Sequence, residues 1–118
     1  GKYLETATAN LFGQEFKIKH PAQIQDVIDS ASDISTEAMI QFVMAMRNRR
    51  DHSHMLSQKR IPLWMIIGKE DIAVPFEDSV AQMNHLPEKN VLVLEGVGHM
   101  GMLEATKKVN EAIRQFIN

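Results

Sequence analysis

The chain has no cysteine among its 118 residues. That excludes a disulfide framework, a thiolate zinc site and a cysteine nucleophile, though it does not fix a redox compartment. An excess of one charge is also missing: 13 Lys and Arg stand against 15 Asp and Glu, a formal net charge of −2 with a pI near 6.2. Such a balance leaves no electrostatic footprint for nucleic acid. Long hydrophobic runs are lacking too. The longest is Ile61–Ile67, with Pro62 inside it, far short of the roughly 20 residues that span a bilayer. No basic stretch followed by an apolar one opens the chain, so there is no sign of a secretory signal. The expectations are no membrane partner and a cytoplasmic location. No internal repeat or low-complexity tract is found. What remains is ordinary globular composition, 44% hydrophobic and 24% charged, at a length suited to one domain.

The chain changes character near Lys59. Residues 2–58 read as helices and loops. Tyr3 to Phe12 is a short helix candidate that ends at Gly13, where a left-handed C-terminal residue favours glycine. Pro21 begins a second, with Ile24, Val27, Ile28 and Ala31 at helical spacing. The third runs from Ser35 or Thr36 to about Asn48, with a hydroxyl N-cap, Glu37 in its first turn, and Met39, Phe42, Val43 and Met46 on one face. Asp51 or Ser53 can cap a short helix to Leu56. Beyond Arg60 the rhythm is strand, helix, strand, helix. Ile61–Ile67 is apolar on both faces, as in a strand of a parallel sheet covered on both sides. A helix over 76–86 follows, with Phe76, Val80 and Met83 inward, then a strand at 91–94 and a last helix from about Met102 to Ile117. This is a βαβα unit.

Each strand leads into a loop with one acid–base residue. Asp71 follows Gly68-Lys69-Glu70, and His99 follows Glu95-Gly96-Val97-Gly98. Ligands of open α/β sheets bind outside the carboxyl ends of the strands, so both residues stand on the functional edge. A carboxylate on one imidazole nitrogen fixes the tautomer and stabilises the imidazolium formed when the other nitrogen takes a proton. Gly68 and Gly98 permit the tight turns that aim the next polar side chain into a crevice. A single Asp after a strand is commonly a turn residue, and a single loop His is commonly just solvated. Two of them, each closing a strand and in this order, point to catalysis.

At these residues the chain resembles a known family. Trp64-Met65-Ile66-Ile67-Gly68-Lys69-Glu70-Asp71 through Val74-Pro75, then Gly96-Val97-Gly98-His99-Met100 with Glu104, looks like the C-terminal part of an α/β-hydrolase. The resemblance implies Asp71 as triad acid and His99 as triad base, in the family's order of nucleophile, acid, histidine. The expected fold class is α/β: a mostly helical first half (2–58, cap-like), then a βαβα unit with two parallel strands (59–118, the end of the hydrolase core). Gly101 and Thr106 stand where many relatives have proline, away from the presumed chemistry.

The family's nucleophile elbow, Gly-x-Ser-x-Gly or its Asp variant, does not occur in the chain, nor does its glycine-rich oxyanion loop. None of Ser30, Ser32, Ser35, Ser53, Ser57 or Ser79 follows a strand. In relatives both features precede the cap, and Gly1 stands where a start Met would. The expectation is therefore a portion of a longer hydrolase of small esters, lactones or related acyl substrates, inactive alone. An Asp nucleophile would instead make the parent an epoxide hydrolase or dehalogenase. The alternative from another class is a non-catalytic binding or assembly module. Two parallel strands leave open edges, so the expected partner besides a small-molecule substrate is the missing N-terminal half of the core, or a second copy.

Phe42, Met46 and Met100 are candidate substrate contacts, weighed against simple helix packing. Arg47–Arg50 sits where a helix C-terminus attracts cations anyway. His52 and His54 lack a third and fourth ligand, so neither a metal nor any other cofactor is expected.

Overall fold

The computed structural model describes all 118 residues. Helices α1 (Lys2–Ala9), α2 (Gln14–Lys19) and α3 (Pro21–Ala31) open the chain, with α1 and α2 both packed on α3. Pro21 begins α3 as expected, its fixed φ suiting the first turn. Gly13 is a correction. It does not end a helix in the left-handed region but starts α2 as its N-cap, with φ −64° and ψ 157°. Between α1 and α2 the turn 10–12 drives Phe12 into the interior. Phe12, Phe16 and Ile24 form one small core, joined by Ala9, Leu11, Val27, Ile28 and Met100. The rings of Phe12 and Phe16 stack with centroids 5.3 Å apart.

Helix α4 (Thr36–Asn48) begins where the sequence places it. The Ser35 hydroxyl accepts the Ala38 N–H at 3.1 Å. Its apolar face, however, is not buried: no residue of α4 is, and Phe42, Val43 and Met46 are more than half exposed. The short helix α5 (His54–Gln58) follows. Asp51 accepts both the amide and the hydroxyl of Ser53, so Asp51 organises the turn while Ser53 is the N-cap by position.

Strand β1 (Met65–Gly68) pairs in parallel with β2 (Val91–Leu94), Met65 opposite Val91 and Gly68 opposite Leu94. Between them lie α6 (Phe76–Met83) and a 3-10 turn, Glu88–Asn90. The apolar run from Ile61 was expected to be one strand buried on both faces. Only its last three residues and Gly68 form the strand, and Ile66 is 38% exposed against the fully enclosed Ile67. That exposure is local to Ile66, because Leu92 and Leu94, on the same face by register, pack into a core with Val97 and Val109. The expected last helix is two: α7 (Gly101–Glu104) and α8 (Thr106–Ile117), broken at Ala105 with φ −136° and ψ 48°. From α8, Val109 packs with Leu94 and Val97 in a second small core, and Trp64 meets Phe116 at a ring distance of 5.8 Å. No helix is long and apolar enough to cross a membrane.

Candidate active site

The two loops that leave β1 and β2 lie side by side because backbone hydrogen bonds continue past the strands. Lys69 N–H donates to Leu94 C=O at 3.0 Å, and Glu70 N–H donates to Val97 C=O at 2.8 Å. This register brings Asp71 and His99 together. Asp71 Oδ2 lies 2.8 Å from His99 Nδ1, while Asp71 Oδ1 accepts the N–H groups of Ala73 and Val74, each at 2.9 Å. Both carboxylate oxygens are therefore acceptors, which assigns a proton to Nδ1 and makes Nε2 the acceptor nitrogen of the neutral ring. The Asp71 side chain is 12% exposed and that of His99 40% exposed. The acid is enclosed and the base reaches solvent.

A second set of contacts holds the histidine loop from below. His99 N–H donates to Leu11 C=O at 2.7 Å. Glu104 accepts from the amides of Gly13, Gly98 and Met100, and Glu70 accepts from Gln14 N–H at 2.8 Å. Such close approach of three backbone segments needs glycine. A Cβ on Gly68 would lie 1.9 Å from Gly98 C=O, and one on Gly98 would lie 2.5 Å from Leu11 C=O. Gly68 and Gly98 were expected to supply turn angles. Their requirement is space instead, and the left-handed residue of the loop is Gly96, with φ 70°.

Asp71 borders a crevice of about 560 Å³ whose wall includes Asn10, Phe12, Lys17, Lys69 and Phe76. Met100 is half-buried against the Phe12 core, where its side chain packs. Phe42 and Met46 stand 68% and 65% exposed on α4. Met46 lines a different crevice, with Arg49 to Ser53 and Gln82. No three His, Asp or Glu side chains converge as a metal would require. No serine hydroxyl hydrogen-bonds His99. The sequence gives no sign of the supporting contacts made by Leu11, Gly13 and Glu70, nor of the reach of Glu104, which enters only as part of the family resemblance. No local spacing reveals a bond spanning 91 residues.

The fold corresponds closely to that of solved structures. The chain superposes on a thermophilic esterase from Thermogutta terrifontis with a TM-score of 0.86 at 22% identity, matching 99% of this chain and 43% of that one. The fold is that of the α/β-hydrolases. A bromoperoxidase from Bacillus anthracis gives 0.80 at 22% identity over 98% of this chain and 43% of its own. A serine hydrolase involved in carbazole degradation gives 0.71 at 20% identity, with 98% and 46% covered. The chain thus spans less than half the length of these α/β-hydrolase-fold proteins. No family model matches the sequence, and no curated protein matches it.

Proposed function

We propose that Asp71 and His99 are the acid and base of a nucleophile–His–Asp triad that cleaves a small ester, lactone or related acyl substrate. The observation that carries this reading is the 2.8 Å contact between His99 Nδ1 and an enclosed carboxylate whose other oxygen is already occupied. Held this way, Nε2 takes a proton from an attacking hydroxyl and later returns it to the leaving group, while Asp71 stabilises the imidazolium. The esterase and serine hydrolase among the structural neighbours support a hydrolytic role.

The nucleophile comes from polypeptide outside these 118 residues, as do the oxyanion donors. That polypeptide is the partner: it adds to the open sheet and completes the core, and without it the chain does not turn over substrate. A serine there gives acyl transfer; an aspartate there gives epoxide or carbon–halogen cleavage through the same Asp71 and His99. In the assembled enzyme, His99→Ala should lower kcat by at least about a thousandfold with little change in KM. Retained turnover would remove His99 from the mechanism. Ester hydrolysis by the 118-residue chain alone, dependent on His99, would show instead that the chain carries its own nucleophile.

A further inference from the structure

Glu104 ends α7 five residues after His99, and its carboxylate gathers amides from two stretches far apart in sequence. Oε1 accepts Gly13 N–H at 2.7 Å and Gly98 N–H at 3.1 Å, and Oε2 accepts Gly98 N–H at 3.1 Å and Met100 N–H at 3.2 Å. His99 N–H, between those two amides, goes to Leu11 C=O. Three successive amides around the histidine are thereby held. Two go to Glu104, and one to a turn that Glu104 also grips through Gly13. Capping α7 would not require the Gly13 bond, and Asp71 by contrast binds only amides of its own turn. Hydrogen bonds to an ionised acceptor are the strong ones, and this acceptor is half-buried.

Resting on the triad reading above, we infer that Glu104 is a positioning residue for His99. It clamps the backbone on both sides of the histidine and anchors that loop to the α1–α2 turn, so Nδ1 stays on Asp71 and Nε2 stays free. Glu104→Gln keeps the shape but loses the charge. Its NH₂ must also face a backbone N–H where Oε2 accepted one, so the clamp opens on one side.

Nitrogen-15 NMR of the histidine side chains in the 118-residue chain, in alkaline buffer, reports each tautomer. His20, His52, His54 and His85 act as internal references. His99 is expected as the single Nδ1–H tautomer. In Glu104→Gln it becomes a mixture, shifted in the same direction as in Asp71→Asn, and the other four histidines do not move. If Asp71→Asn shifts His99 while folded Glu104→Gln does not, the positioning role is overturned and the Asp71–His99 pair stands. If neither variant shifts it, the pair itself is wrong and the inference falls with it. Should Glu104→Gln not fold, hydrogen exchange of the unaltered chain decides. The amides of Gly98, His99 and Met100 should exchange at least about tenfold slower than those of residues 49–52. Equal rates would overturn the clamp.

Discussion

At the scale of single residues, space and charge decide different positions. Gly68 has no room for a methyl group because Gly98 C=O would sit 1.9 Å from it, whereas a Cβ on Gly96 meets nothing within 4 Å. Gly96 resists substitution only through its φ of 70°. Gly68→Ala should therefore destabilise by about 3 kcal/mol through forced separation of the two loops, and Gly96→Ala by about 1 kcal/mol from backbone strain. Denaturant melts of the two variants check the order, and a reversal would contradict the three-segment junction. Asp51 illustrates charge. The Ser53 hydroxyl, then the Ser53 amide, hold its carboxyl below the usual aspartate range, although it is exposed. A carboxyl lowered in the folded state contributes stability above its unfolded value and loses that contribution as pH falls through the folded one. Ser53→Ala should move the Asp51 titration upward towards the ordinary range, as followed by its side-chain carboxyl resonance.

Among the elements, α4 is the most loosely supported. It has a good N-cap and a helical apolar stripe but buries nothing, so its persistence depends on local terms that tertiary packing does not reinforce. Ser35→Ala should cost the helix about 1 kcal/mol and raise amide exchange through its first turns. An unchanged exchange pattern would mean that α4 is held by something other than its cap. The same element shows what a sequence can and cannot convey. Ser35, the spacing of Met39, Phe42, Val43 and Met46, and the start at Thr36 are local, and local signals place a helix correctly. Whether the stripe is covered depends on what lies opposite, which no spacing records. Strand β1 teaches the complementary lesson. Seven apolar residues read as seven strand residues, but parallel pairing takes in only the last three of them, with Gly68, opposite Val91–Leu94. That Asp71 and His99 lie close together was legible because each stands in the loop after a strand and strand ends sit on one edge. The clamp by Glu104 was not, since Gly13 gives no sequence sign of which carboxylate its amide will meet.

For the whole molecule, surface is the informative quantity. The chain exposes 9070 Å² and has a radius of gyration of 15.9 Å. A compact monomer of this mass exposes roughly 6,500 Å², with a radius near 13.5 Å by chain-length scaling. The excess of about 2,500 Å² is the size of an obligate interface. Only 13 residues are buried, and Ile66, Phe42, Val43 and Met44 are among the large apolar side chains left in solvent. Each strand of the two-stranded sheet leaves one edge unpaired, and such an edge is where the proposed core-completing polypeptide would add its strands. The chain alone should bind a hydrophobic dye such as ANS strongly, and the assembled enzyme should not. Weak dye binding by the isolated chain would argue that this surface is already satisfied. The central claim, that this chain supplies acid and base to a serine carried elsewhere, is tested most directly by phosphonate trapping of the active enzyme followed by peptide mass spectrometry. The account predicts an adduct on a serine outside these 118 residues, with its formation lost in His99→Ala. An adduct on Ser30, Ser32, Ser35, Ser53, Ser57 or Ser79, or labelling indifferent to His99, would contradict it.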